Sequence, residues 1–155
     1  MKRSIREKGA TVIEFALAVP IFIILIIGII DFGWYFFTQH TIQYATREGA
    51  RIALVGKTID DMDRSATVIK VIQESAGLAV DPEDLDIRIY PLEDDFSDPA
   101  GWQGLTPNAG APGAIMRVRA RYTYHFLTPI IGSLVSNGKI LVEAQATYKN
   151  EIFEE

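Results

Sequence analysis

The sequence predicts an α+β protein in which one long N-terminal helix packs at its distal half on a small antiparallel sheet. An apolar run extends from Phe15 to Ile30 without an ionised side chain. Residues 58–76 place apolar side chains at helical spacing, which indicates a second helix. Residues 116–126 and 140–148 alternate apolar and polar side chains, as half-buried strands do. Together these elements predict helices on one face of about three antiparallel strands.

Composition and charge indicate a chain with two different environments. The 155 residues suffice for one small domain beside an anchoring helix. The formal net charge is −5, with +3 on residues 1–9 and −8 on residues 10–155. An acidic exterior argues against a nucleic-acid partner. The absence of cysteine excludes disulfides and thiolate metal sites.

Residues 10–37 are predicted to form a transmembrane helix with an aromatic belt at its outer end. At about 1.5 Å per residue, Ala10 to Ile30 spans the hydrocarbon core of a bilayer, which is about 30 Å thick. The basic leader, residues 1–9, places the N-terminus in the cytoplasm by the positive-inside rule. Residues 38–155, including the continuation of the helix, are then the exported domain.

Glu14 is the one acid inside the apolar segment. A charge at the centre of a membrane helix costs about 2.5–3.5 kcal/mol on insertion scales, so a functional role is indicated. A cleavable secretory signal is disfavoured because the apolar core is long and no A-x-A site follows it. An unprocessed signal anchor, in which Glu14 extends toward the cytoplasmic headgroups, stays open.

Past the aromatic belt, Ala45, Gly49 and Ala53 form a stripe of small residues at four-residue spacing. Such a stripe allows close approach of another backbone, from a partner helix or from the same chain. Packing against the protein's own domain is the favoured interpretation, because amphipathic helices usually face their own core.

Two blocks of the sequence together resemble the TadE-like family, the pilin-related proteins of tight-adherence (Tad) secretion systems. The first block is GATVIEFAL at 9–17, and the second is ATREGAR at 45–51. Between them lie Pro20 and the DFG triplet at 31–33. The resemblance covers roughly the first third of the chain.

The resemblance implies a minor pilin or pseudopilin that assists assembly of Flp-type pili and has no catalytic turnover. It implies cleavage by a prepilin peptidase between Gly9 and Ala10. Ala10, Glu14 and Phe15 would then serve subunit assembly, with the Glu14 carboxylate facing the N-terminal ammonium of a neighbouring subunit. The implied partners are the prepilin peptidase, other pilin or pseudopilin subunits, the Tad inner-membrane assembly platform and membrane lipid. The implied location is the bacterial cytoplasmic membrane, which the chain crosses once.

The exported domain begins with a helix predicted near residues 60–76. Thr58 and the acids that follow it are typical of a helix start, and Gly77 is a natural C-terminal cap. Residues 85–90 alternate as a strand that ends at Pro91.

Residues 92–114 are predicted to form a long loop rich in glycine, proline and aspartate, and loops of that length are usually functional or mobile. Four acids lie near Trp102: Glu93, Asp94, Asp95 and Asp98. Solvated loop charges are favoured over weak calcium binding, since the spacing is not that of an EF-hand.

The strand at 116–126 carries arginines at 117, 119 and 121 on its polar face. The favoured interpretation is a solvated outer face paired with acids of the neighbouring strand, with Glu143 opposite an arginine. The apolar connection 127–135 is predicted to be a short helix that plugs the core, and the alternative is an exposed patch for a partner or for the membrane surface.

No catalytic constellation accompanies His40 or His125, and the sequence has no phosphate loop or zinc-ligand spacing. We therefore predict a protein that is not an enzyme and has no metal and no cofactor. The alternative function is an unprocessed single-span protein whose exported domain binds a ligand or envelope component through the 92–114 loop.

Overall fold

A computed structural model describes residues 5–59, 61–135 and 138–152 and confirms the α+β class. Helix α1 runs unbroken from Ile5–Leu54, with Pro20 inside it. At about 1.5 Å per residue, its 50 residues extend for about 75 Å. The other elements, in chain order, are α2 (Arg64–Ala76), β1 (Asp86–Pro91), β2 (Ile115–His125), α3 (Pro129–Leu134) and β3 (Lys139–Lys149).

The three strands form one antiparallel sheet in the order β1-β2-β3. Met116, Val118 and Ala120 are fully buried on the apolar face of β2, which confirms the predicted alternation. Arg121 lies directly opposite Glu143 on β3, so the predicted pairing of that acid with an arginine is also confirmed.

One face of α1 holds the sheet and α2 together. Its members recur at alternating spacings of three and four residues, the geometry with which one helix face packs continuously on a neighbour. The contacts run to α2, β2 and β3. The buried members of this face are Asp31, Thr38, Ile42, Ala45, Gly49 and Ile52, with Tyr35 half-buried among them.

Helix α2 begins later than the sequence indicated. Thr58 lies in irregular backbone, and Asp60 lies outside the described residues. Asp63 is the N-cap instead, where its carboxylate accepts the backbone N–H groups of Ser65 and Ala66 at 2.5 and 3.2 Å. The predicted start was wrong because several acids in a row could each satisfy the free N–H groups of a first turn. The predicted C-cap, Gly77, is confirmed.

The apolar connection forms the short helix α3, but the helix does not plug the core. Ile131 and Gly132 are buried, whereas Ile130 and Leu134 are exposed. The Ile131 Cδ1 atom lies 3.8 Å from where a Cβ at Gly28 would stand, so α3 packs against α1. The predicted core position was wrong because this segment is attached to α1 upstream of the main core.

Candidate assembly surface

The upstream half of α1 is a long apolar surface that the rest of the described chain leaves uncovered. The helix is long and apolar enough to cross a membrane, with a most apolar window of mean hydropathy 2.9 that is 0% buried. Val12, Phe15 and Ile21 are each about two thirds exposed, at 66%, 70% and 69%. A helix that is apolar all round and unburied fits an apolar solvent better than water.

The residues predicted for cleavage and assembly all lie on this half of α1. Gly9 and Ala10 are helical, and Gly9 is exposed. Glu14 is exposed, and Phe15 beside it is 70% exposed. Ala10 and Glu14 are four residues apart, about one turn of α1. The cleavage and assembly roles of these residues stay predictions.

Asp31, one residue beyond the apolar run, is the buried counterpart of Glu14. It is fully buried, and its carboxylate accepts three hydrogen bonds from the turn before α3. The donors are the backbone N–H groups of Leu127 and Thr128, at 2.8 and 3.1 Å, and the Thr128 hydroxyl, at 2.6 Å. A buried carboxylate needs such donors, and they tie residues 127–128 to the end of the apolar segment.

Aromatic side chains surround this attachment. The Tyr124 hydroxyl donates to the Asp31 carbonyl oxygen at 3.3 Å. Its ring meets the ring of Tyr35 edge-on, with centroids 5.3 Å apart, and Phe32 and Phe126 form a similar pair at 5.7 Å. Burial above all, and then the negative charge of Asp31, raise the pKa of Tyr124 to about 12. The phenol therefore stays a neutral donor at physiological pH.

The small-residue stripe of α1 faces α2 of the same chain. Ala45 and Ala53 are 0% and 1% exposed. A Cβ at Gly49 would clash with the side chain of Ile72, whose Cδ1 atom would lie 2.7 Å from it. Gly49 thus packs closely against α2 within the domain.

The 92–114 loop is fastened across the polar face of the sheet by Asp98. Its carboxylate accepts hydrogen bonds from Arg117 at 2.5 Å, from Arg119 at 2.8 Å and from the Tyr90 hydroxyl at 3.0 Å. Burial alone would raise the pKa of Asp98, but the hydrogen bonds from Arg117 and Tyr90 and the charge of Arg119 outweigh it and lower the pKa.

Trp102 completes the attachment of the loop. It is 8% exposed and stacks on Tyr90 with ring centroids 5.4 Å apart. The guanidinium carbons of Arg119 and Arg121 lie 4.2 and 4.7 Å from the centre of its ring, within the range of cation–π attraction. Arg119 is consequently buried, so the prediction that all three arginines form a solvated face is wrong at that position.

The candidate ligand groups do not converge on a site. His40 and His125 are both exposed. Within the described ranges, no group of three histidine, cysteine, aspartate or glutamate side chains is arranged to hold a metal ion.

The comparison with protein families agrees with the resemblance seen in the sequence. The model of the family described as TadE-like protein matches residues 9–51, which is the apolar half of α1 and most of the half that packs on the domain. No curated protein and no solved structure matches the chain. Residues 9–51 are therefore similar to TadE-like proteins, which are pilus-related structural or assembly proteins.

Asp31 and Asp98 were both visible in the sequence, but their hydrogen bonds, to the turn before α3 and to the arginines of β2, were not predicted. Asp31 had an available signal, because a carboxylate beside an apolar run needs a partner whether it stands before or after that run. The contacts of Asp98 and Trp102 with the sheet had no such signal, since both residues come from an irregular loop whose path no periodicity predicts.

Proposed function

We propose that the protein is a minor pilin-like or pseudopilin-like subunit that assists assembly of Flp-type pili in a tight-adherence secretion system. A prepilin peptidase cleaves it after Gly9, and it has no catalytic turnover. Its partners are that peptidase, other pilin or pseudopilin subunits, the Tad inner-membrane platform and membrane lipid.

One observation carries the proposal: Glu14 lies on the exposed, apolar upstream half of α1, whereas the downstream half of α1 packs on the domain. A carboxylate in low dielectric is stabilised by a complementary cation. Cleavage after Gly9 creates an ammonium at Ala10, close to the depth of Glu14 in a neighbouring parallel helix. Pairing of the two groups would select the register in which subunits join.

The orientation follows from charge. The basic leader and the acidic remainder favour a cytoplasmic N-terminus and an exported domain. In that orientation the face of α1 from Asp31 onward carries the sheet outside the membrane. The upstream half stays available to lipid and to the helices of other subunits.

Substitution of Glu14 tests the assembly role. Glu14→Gln keeps the shape of the side chain and removes its charge, so export should be unchanged and co-purification with other pilin subunits should fall. The matched control is Thr11→Ser, which changes an exposed neighbour without touching a charge. Unchanged co-purification of the Glu14→Gln protein would contradict the proposed pairing.

The alternative, an unprocessed anchor whose 92–114 loop binds a ligand, is less well supported. Besides Asp98 and Trp102, the loop is held by Asn150, whose side-chain amide donates to the carbonyl oxygens of Ala109 and Ala111, both at 2.9 Å. Arg64 also donates to the Gly110 carbonyl oxygen at 2.8 Å. Residues 98, 102 and 109–111 of the loop are thus committed to internal contacts, which favours a structural role.

A further inference from the structure

We propose that Leu127, Ile130 and Leu134 form an interfacial foot that inserts into the outer leaflet of the membrane crossed by α1. The foot sets the height and tilt of the exported domain relative to the bilayer. This inference goes beyond the assembly role and needs only that α1 spans the membrane.

The foot is apolar and uncovered within the described part of the chain. Leu127, Ile130 and Leu134 are 59%, 48% and 79% exposed. Ile131, between them, is 7% exposed because it turns inward against Gly28 of α1. The short helix therefore has one side on α1 and the other side free, which is the amphipathic arrangement of an interfacial element.

The position of the foot along α1 fixes its depth. With Ala10 at the inner edge of the hydrocarbon core, Gly28 lies about 27 Å along the helix and Asp31 about 31 Å, at about 1.5 Å per residue. The core is about 30 Å thick, so α3 attaches where hydrocarbon gives way to headgroups. Ile29 and Ile30, at the same level of α1, are also exposed, at 65% and 60%.

Specific contacts attach the turn before α3 to α1. The three hydrogen bonds to the buried Asp31 carboxylate hold Leu127 and Thr128, and the next residue begins α3. The Phe32–Phe126 contact, with centroids 5.7 Å apart, adds a second connection between α1 and the end of β2. Tilting of the domain would lift α3 from the lipid or push it in deeper.

Polar residues near the foot suit the headgroup level. Lys139, the first residue of β3, is exposed and lies opposite His125, the last residue of β2. A lysine at this height can extend toward lipid phosphates. Three aliphatic side chains are also a small contact for a protein partner, since a standard interface buries about 800 Å² on each side. Lipid at this depth is therefore favoured over a second copy.

Depth-dependent fluorescence quenching tests the foot in the full-length protein. The chain has no cysteine, so Leu134→Cys provides a single labelling site for an environment-sensitive fluorophore. Leu78→Cys is the matched control, because Leu78 is 81% exposed against 79% for Leu134. Leu78 follows α2, which packs on α1 near Gly49, well beyond the level of Gly28. Each protein is placed singly in nanodiscs of phosphatidylethanolamine and phosphatidylglycerol, with nitroxide quenchers on the headgroup or the upper acyl chain.

We expect the label at 134 to be blue-shifted and strongly quenched from both depths, and the label at 78 to stay unquenched. Adding Asp31→Ala should reduce the quenching at 134, because it releases the turn from α1. Equal, weak quenching at the two sites would overturn the inference. Shielding at 134 that appears only when several copies share one disc would overturn it in favour of a second subunit. Neither outcome depends on cleavage after Gly9, so the foot and the proposed function fail separately.

Discussion

The two carboxylates that bracket the apolar run of α1 have opposite surroundings. Glu14, near its start, is exposed on an otherwise apolar helix. Asp31, just past its end, is fully buried and accepts three hydrogen bonds from residues 127 and 128. Asp31 therefore has hydrogen-bond donors within the chain, whereas Glu14 is open to whatever surrounds the helix. A single helix therefore packs into the domain core with one half and stays exposed along the other.

The largest expected effect comes from substituting Trp102, whose buried ring belongs to the domain that α1 packs against. We expect Trp102→Ala to cost about 3–5 kcal/mol of domain stability, because it removes a buried aromatic side chain and leaves Arg119 without its ring. Hydrogen exchange of the exported domain, measured in nanodiscs, reports the loss. The exposed Phe36 provides the matched control, and Phe36→Ala should leave domain exchange unchanged. Equal changes in domain hydrogen exchange for the two variants would contradict the distinction between the packed domain and the exposed surface of α1.

Two glycines of α1, Gly49 and Gly33, test whether only the packed positions of the helix are sensitive to an added methyl group. A methyl group at Gly49 meets the fully buried Ile72, so Gly49→Ala should destabilise the domain by about 1–3 kcal/mol. At Gly33 a Cβ meets no heavy atom of the described residues within 4 Å, and Gly33→Ala should be neutral or stabilise α1 by up to about 1 kcal/mol. Urea unfolding of the two variants measures the difference, and a stabilised Gly49→Ala protein would contradict the packing described for α1 and α2.

The two carboxylates themselves give the next prediction. Asp31→Ala should cost about 1–3 kcal/mol, because three donors near a buried site lose their acceptor. Amide exchange at Leu127 and Thr128 should accelerate first. Glu14→Ala should leave domain stability and these amides unchanged. Faster exchange at residues 127 and 128 in the Glu14→Ala protein would show that the two ends of the apolar run are coupled.

The smallest expected effect is a pH dependence at Asp98. Its pKa is lowered in the folded protein, so its stabilisation is complete above the ordinary aspartate pKa near 3.8 and is lost as the pH falls through the lower, folded value. Urea midpoints measured between about pH 5 and about pH 3 should fall. They should fall less for Asp98→Asn, whose midpoint is already lower at pH 5. An identical slope for both proteins would assign the acid sensitivity to other groups.

The sequence predicted the elements that have a period and missed the contacts that join them. The alternation of β2 and β3, the continuation of α1 past the apolar segment and the position of Glu143 opposite an arginine were all predicted, because burial on one face imposes a repeat. The N-cap of α2 was misplaced because several acids compete for one role. The position of α3 on α1 was missed because it depends on Asp31, 96 residues upstream of Leu127.

The residues predicted for cleavage and assembly were found in another way. Gly9, Ala10 and Glu14 were identified through the resemblance, and the family match covers them. Their chemistry requires a peptidase and a neighbouring subunit, so the structure of one chain gives only their spacing along α1 and the exposure of Gly9 and Glu14.

The intact mass and N-terminal sequence of the protein from its native membrane test the central claim most directly. Cells with an active prepilin peptidase should yield a chain that begins at Ala10, and cells with an inactivated peptidase should yield one that retains residues 1–9. A chain that keeps its leader in both strains would contradict processing and the Glu14–ammonium pairing that depends on it.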